Sequence, residues 1–268
     1  MPAFSLVRHA GQTVLCRPEF QERVLAIFGI RGEAPPPEPS VAEGRAAYPA
    51  YPLDGKGLRG ILKHCRRGGM LSGDLFFGLR RPLREFLLSE RALRRGVPTA
   101  VVAAARVRPV LGLFYRGDLI SVEIPGARDL GDLLKAPPPS AKELNRAVRA
   151  AARAVRKAHD AGLLHADLNL KNVMVRGDEA WVIDLDKSRL RPGPLEPAER
   201  ASNLLRLGRS YLKKGGSGSL PRRFLAAYSG RDRGMRKALS RCLRTYPLSF
   251  HLHRLGWRLR PTRPPSRR

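Results

Sequence analysis

One short stretch of this chain holds residue types and spacings suited to phosphate chemistry. His165-Ala166-Asp167-Leu168-Asn169-Leu170-Lys171-Asn172 is polar, with Asp167 and Asn172 five positions apart. Twelve residues after Asn172, the apolar run Trp181-Val182-Ile183 ends in Asp184-Leu185-Asp186. Residues 173–183 between them turn at Gly177-Asp178, which predicts a hairpin. Hairpin strands leave and return side by side, so Asn172 at one foot and Asp184 at the other become neighbours. An amide oxygen and a carboxylate can together hold Mg²⁺, which prefers hard oxygen ligands. A second carboxylate nearby, Asp167, can take a proton from an alcohol. Those are the parts that phosphoryl transfer needs.

The elements that must position these residues are legible in part. Residues 140–161 predict a long helix. Ser140 and Glu143 form a capping box. Leu144, Ala147, Val148, Ala151, Val155 and Ala158 repeat at helical spacing, and Gly162 ends the helix. Upstream, a helix is predicted at 82–95. It has Pro82 in its first turn, buries Leu83, Phe86, Leu87 and Leu93, and stops at Gly96 with Pro98 just beyond. Residues 1–30 read as a short strand and an amphipathic helix, 31–40 as a Pro-rich linker, and 41–65 as strands and hairpins. Residues 111–124 read as a hairpin turning at Arg116-Gly117-Asp118, and Pro137-Pro138-Pro139 as a second linker. A strand-rich first part and a helical, basic remainder predict an α+β chain of two lobes with a cleft between them.

The polar stretch resembles the catalytic loop of the protein-kinase-like fold, followed by that fold's metal-binding Asp. The resemblance implies an N-lobe antiparallel sheet with one helix over residues 1–124 and a mainly helical C-lobe over 125–257. A basic tail, 258–268, follows. It assigns Asp167 as catalytic base, Asn172 and Asp184 as Mg²⁺ ligands, and His165 and Asp186 as supports. Leu58-Arg59-Gly60-Ile61-Leu62-Lys63 looks like the strand delivering the ATP-phosphate lysine, Lys63. Glu85 is the expected partner that orients it, and Glu90 on the same helix is the rival. Gly55-Lys56-Gly57-Leu58-Arg59-Gly60 fits GxGxxG but lies too close to Lys63 for a strand to return between them. It reads as a hairpin turn. The phosphate-covering loop is assigned instead to 43–47, with Gly44, followed by a strand over 48–53.

Several features argue against a protein kinase. Ala166 stands where Arg precedes the catalytic Asp, and Asn169 where Ser/Thr kinases usually carry Lys. No DFG follows, and only 84 residues come after Asp184. A narrower resemblance is to the lipopolysaccharide core kinases, nearest to those acting on 3-deoxy-D-manno-octulosonic acid (Kdo). It rests on 165–169 and on Ile183-Asp184-Leu185-Asp186-Lys187. Further matches are His64, Arg66-Arg67-Gly68-Gly69, Arg84-Glu85-Phe86, Gly96-Val97-Pro98, Gly112-Leu113-Phe114-Tyr115-Arg116 and Ile124-Pro125-Gly126-Ala127. The likeness runs from about 43 to 212, including Asn203-Leu204-Leu205-Arg206-Leu207. It implies ATP-dependent phosphorylation of a sugar hydroxyl, the 4-OH of Kdo on a lipid A precursor, at the cytoplasmic face of the inner membrane. Arg66 and Arg67 are the expected acceptor contacts. Lys63 stands where Kdo kinases often have Arg and resembles heptose kinases, which leaves the acceptor open.

Charge fits an anionic partner. The formal net charge is +28, and residues 200–268 hold 19 Lys and Arg against one acid, Asp232. Such asymmetry suits a phosphorylated substrate, a nucleic acid or an acidic membrane surface. At 6% aromatics and without a recognisable nucleic-acid module, the chain is not expected to bind nucleic acid. A basic pseudokinase is the non-enzyme alternative, against which stands the full set Lys63, Glu85, Asp167, Asn172 and Asp184. The charge of residues 200–268, together with the lack of any stretch approaching the roughly 18 apolar residues of a span, leads us to expect peripheral attachment to the anionic inner-membrane surface. Three cysteines, Cys16, Cys65 and Cys242, have no metal-ligand spacing and read as free thiols.

Overall fold

The structure, a computed structural model, describes residues 4–39, 48–65, 75–77, 81–110, 114–135, 140–216 and 219–244. Its first half is an eight-stranded sheet. Strands β1 (Ser5–His9), β2 (Gln12–Cys16), β3 (Glu38–Pro39), β4 (Pro49–Pro52), β5 (Arg59–His64), β6 (Phe76–Phe77), β7 (Val102–Val110) and β8 (Phe114–Val122) take part. The order is β1-β2-β7-β8-β5-β4-β3, with β6 also pairing β8, and each pairing is antiparallel. Helix α1 (Gln21–Ile27) covers one face, where Val24 and Phe28 meet Val14, Cys16, Leu62, Ala104 and Ile120. Helix α2 (Arg81–Arg94) covers the other, where Phe86 meets Leu15, Val102, Ala105 and Leu119. Side chains alternate across a strand. Leu62 pairs with Ile120 on the α1 side, so Lys63, opposite Leu119, points to the α2 side. Strand register alone thus sends Lys63 toward α2 and Glu85.

Three expectations need correction. The single strand at the start is a hairpin, β1-β2, closed by Ala10 and Gly11 at positive φ. Gly117 is not at a turn but in the middle of β8, since Arg108 pairs with Arg116 and Arg106 with Asp118. The connection between β7 and β8 at 111–113 lies outside the described residues. Glycine sits at 117 because α2 begins on top of it: a Cβ there would come within 2.4 Å of Pro82 Cγ. The third correction concerns the buried face of α2. Leu83, Leu87 and Leu93 are only partly buried, while Glu85, Phe86, Ser89, Glu90 and Ala92 are enclosed. This helix packs on the sheet and, through Leu88 and Ala92, on the second core, so polar positions become interior and need partners. Glu90 takes Arg17 at 2.5 Å, and Ser89 donates to the Ala100 carbonyl at 3.2 Å.

The second half contains β9 (Arg128–Asp129), α3 (Leu130–Leu133), α4 (Ala141–Asp160), β10 (Leu163–Leu164), β11 (Val173–Arg176), β12 (Glu179–Val182), β13 (Arg189–Leu190), α5 (Pro197–Lys213), α6 (Leu220–Ser229) and α7 (Arg233–Arg244). The long helix is as expected. Ser140 caps α4 with a complete capping box, and Gly162 follows it at φ +85. A Cβ at Gly162 would lie 2.4 Å from the Gly193 carbonyl oxygen, so no other residue fits that exit. Ala147, Ala150, Ala151, Ala154 and Ala158 let α4 lie close against its neighbours in the core. The hairpin β11-β12 is also as expected, with Val173 opposite Val182. Val182 N–H donates to the Pro98 carbonyl at 2.8 Å, fixing this hairpin to the segment that follows α2. Cys16, Cys65 and Cys242 take part in no disulfide. No helix among the described residues is long and apolar enough to cross a membrane.

Candidate active site

The loop between β10 and β11 is held from three sides. The buried His165 ring donates from Nε2 to the Ile183 carbonyl at 3.0 Å and accepts the Asp167 N–H on Nδ1 at 3.1 Å. That arrangement uses the neutral imidazole, and burial lowers the ring's pKa, which keeps it neutral. His165 thereby ties the residue before Asp184 to the backbone of Asp167. Asn203, on α5, accepts the His165 N–H at 3.0 Å and donates to the His165 carbonyl at 3.1 Å. Arg206, one turn on, donates to the carbonyls of His165 and Ala166. Ser188 Oγ accepts the Ala166 N–H at 3.0 Å, and Ser210 Oγ the Leu170 N–H at 2.9 Å.

These supports were missed in the sequence, apart from His165. The signal was there for two of them. Asn203 and Arg206 are polar residues three apart on a helix whose Leu204 and Leu207 are core; Asn203 is buried and Arg206 partly so, and buried polar groups need partners.

Asp167 itself is exposed, with Asn169 Nδ2 donating to its Oδ2 at 2.9 Å. Asn172 is buried and donates from Nδ2 to the Asp167 carbonyl at 2.9 Å. Its backbone carbonyl accepts the Ile183 N–H at 2.9 Å, so the feet of the hairpin meet at Asn172 and Asp184. Asp184 takes a left-handed backbone, φ 62, a conformation uncommon outside glycine but tolerated by Asp. Bonds on both sides hold it there: Ile183 before it, and Ser188 N–H to the Leu185 carbonyl at 3.0 Å after it.

Lys63 reaches across from the sheet to Asp184 Oδ2 at 3.0 Å. Burial disfavours its ammonium, but the carboxylates of Asp184 and Glu85 outweigh that and raise its pKa. Glu85 is buried close enough to feel Lys63. Burial first, then the nearby Asp184 charge, pushes its carboxyl up to about 7, with Lys63 opposing. Glu90 faces away, toward Arg17. Asp186 does not face Lys63; Arg81 at the start of α2 grips it, with Nε donating to Oδ1 at 2.9 Å. Gly44, Arg66 and Arg67 lie outside the described residues. The turn at 54–58 joins β4 to β5, with Asp54 accepting the N–H groups of Lys56 and Leu58 at 2.9 and 2.8 Å. It is a hairpin turn, as its distance from Lys63 implied.

The donor set suits a magnesium ion. Among the described residues no three His, Cys, Asp or Glu side chains converge as a protein-only metal centre would need. One carboxylate and one amide oxygen, shared with substrate phosphates, is the form Mg²⁺ takes in phosphoryl-transfer sites. Asn172 has spent its Nδ2 on the Asp167 carbonyl, which leaves its Oδ1 as the group that could take a metal.

An antiparallel sheet presenting a lysine to a loop with these groups is the layout of a phosphotransferase with an alcohol acceptor. A family model described as the lipopolysaccharide kinase (Kdo/WaaP) family matches residues 54–228, and the chain belongs to that family. A 3-deoxy-D-manno-octulosonic acid kinase of Vibrio cholerae is 33% identical over 214 residues, spanning 77% of this chain and 82% of that protein. The enzyme of the same name in Photobacterium profundum is 36% identical over 183 residues, 65% of this chain and 73% of that protein. A Haemophilus influenzae enzyme, again so named, is 33% identical over 188 residues, 65% and 75% of the two chains. A solved structure titled WaaP in complex with acyl carrier protein is 24% identical, with a TM-score of 0.46, covering 79% of this chain and 88% of that one.

Proposed function

We propose that the chain transfers the γ-phosphoryl group of ATP to a sugar hydroxyl of the lipopolysaccharide inner core, the 4-OH of Kdo on a lipid A precursor. The observation that carries this reading is the meeting of Lys63 with Asp184, 121 positions apart, beside the loop that presents Asp167. The relatives named for Kdo support the sugar.

In this reading the sheet of residues 1–124 and the helical part, 125–257, are two lobes closing on the nucleotide. Lys63 binds its phosphates, and the buried Glu85 keeps the ammonium charged and aimed. Asn172 and Asp184 hold Mg²⁺, which supplies positive charge to the phosphate oxygens in transfer. Asn169 fixes Asp167 Oδ2, leaving Oδ1 to accept the proton of the acceptor hydroxyl as its oxygen attacks phosphorus. His165 and Asp186 act as positioning groups. Gly44 is assigned to the phosphates, and Arg66 and Arg67 to the acceptor, on their places in sequence alone.

The enzyme works at the cytoplasmic face of the inner membrane. Its surplus of cations over 200–268 is drawn to the anionic lipid there. The test is transfer from ATP labelled in its γ-phosphate to a Kdo-bearing lipid A precursor, a heptosylated acceptor and a generic protein, side by side with and without Mg²⁺. Label on the Kdo acceptor, dependent on Mg²⁺, is expected. Label on the heptosylated acceptor alone would move the assignment to heptose, the alternative that Lys63 favours.

A further inference from the structure

A cavity of about 500 Å³ opens against Asp167, between the catalytic loop and α5. Small-molecule sites run from about 300 to 1,000 Å³. Lys171, Arg206, Arg209, Lys213 and Lys214 line it, and Asp167 is the sole carboxylate on its wall among the described residues. Cations gathered around one concave space repel each other, and an anion entering it relieves that repulsion. Arg206 is committed to the loop carbonyls. Arg209 is half-buried, Lys214 is exposed, and neither has an ion pair with a carboxylate among the described residues.

The placement of these charges is fixed by the same helix that fixes the loop. Asn203, Arg206 and Ser210 follow one another at spacings of three and four, so they share a face of α5, and that face bonds to His165, Ala166 and Leu170. Arg209 and Lys213 continue the stripe three and seven positions beyond Arg206. The stretch of α5 that carries them is therefore fixed relative to Asp167 by several hydrogen bonds. An arginine carried on such an anchored helix suits the forked oxygens of a phosphate or carboxylate.

We propose that this cavity is the acceptor subsite, in which Arg209 and Lys214 bind an anionic group of the sugar acceptor, a phosphate or a carboxylate, and so present its hydroxyl to Asp167. The proposal rests on Asp167 being the base. It moves acceptor recognition from Arg66 and Arg67 to α5, and it gives part of the basic surplus a specific task.

The experiment is steady-state kinetics of the full chain with the Kdo-bearing lipid A precursor in neutral-detergent micelles. Arg209→Glu and Lys214→Glu each raise the acceptor KM by about tenfold while the ATP KM stays within about twofold of wild type, because half-exposed pairs are worth less than buried ones. Arg209→Lys recovers most of the loss. Lys237→Glu, an equal charge change on the exposed side of α7, leaves both constants alone. Acceptors stripped of phosphate, or with the carboxylate reduced, identify the bound group: the one whose removal raises the wild-type KM and adds little to Arg209→Glu. An unchanged acceptor KM in both charge reversals overturns the proposal. So does a loss seen with anionic vesicles but absent in neutral micelles, which assigns these cations to a lipid surface. If wild-type protein phosphorylates no such acceptor, the functional reading fails on its own. Calorimetric binding of inorganic phosphate, lost in Arg209→Glu and kept in Lys237→Glu, then still supports the cavity as an anion site, and binding equal in both overturns it.

Discussion

Arg81 and Asp186 join the start of α2 to the loop just past Asp184 through two guanidinium nitrogens. The pair is partly buried, with side chains 29% and 18% exposed. Arg81 sits one turn before Glu85, and Asp186 two residues after Asp184, so the clasp holds α2 where the Glu85 charge acts on Lys63. Arg81→Ala and Asp186→Ala should each slow turnover and lower stability by about 1 kcal/mol. In a double-mutant cycle the second change should cost little once the first is made. Strict additivity, read from urea melts and kcat/KM, would dissolve the clasp.

Asp167→Asn should cut kcat by about 10²–10⁴-fold, the usual share of a general base, while Mg²⁺-dependent nucleotide binding persists. Its hydrogen bond from Asn169 lies at the surface, so the fold should tolerate the change. Near wild-type turnover, measured with saturating acceptor, would remove Asp167 from the role of base.

Asp184→Ala should abolish the Mg²⁺ dependence of nucleotide binding, whereas Asp186→Ala should weaken it only through loss of the clasp. Titration of a fluorescent ATP analogue against Mg²⁺ separates the two. A larger effect at Asp186 would shift the metal ligand by two residues.

His159 supplies a pH dependence outside the site. It is buried at the end of α4 with Nδ1 2.8 Å from the Tyr228 hydroxyl. Burial, reinforced by the Arg200 guanidinium, pushes its pKa down to about 3. In the unfolded chain the imidazole protonates near 6.5. The unfolded state therefore binds more protons between those values, so His159 makes stability fall as pH drops from about 6.5 toward 3. The slope from this one group reaches at most about 1.4 kcal/mol per pH unit. Urea midpoints at pH 7 and pH 5 should differ less in His159→Gln than in wild type.

Peripheral attachment predicts co-sedimentation with anionic but not neutral liposomes, weakened by salt. Each cation near such a surface contributes on the order of 1 kcal/mol and is screened beyond about a Debye length. A chain ending at Trp257 should bind more weakly if the basic tail contributes. Binding indifferent to lipid charge and salt would rule the mechanism out.

Local order in this chain is written locally. The capping box at Ser140 and Glu143, the alanine-rich face of α4, and the hairpin turning at Gly177-Asp178 depend on neighbours within a few residues, so spacing alone predicted them. The meeting of Asn172 and Asp184 follows from that hairpin and needs no further information. Other features depend on residues far apart in sequence. Gly117 looks like a turn until Pro82 is found lying on it, and Glu90 stays a rival to Glu85 until Arg17 takes it. Arg206, Arg209 and Lys213, which share a cavity with Asp167, come from a helix that begins 30 residues later, and the packing of Asn203, Arg206 and Ser210 against the loop decides which face of α5 looks into the cavity. Sequence determined which groups could do the chemistry, because residue type and short spacing carry that. Tertiary structure decided which charges stand around them, because a helix's polar residues point wherever its buried face is docked.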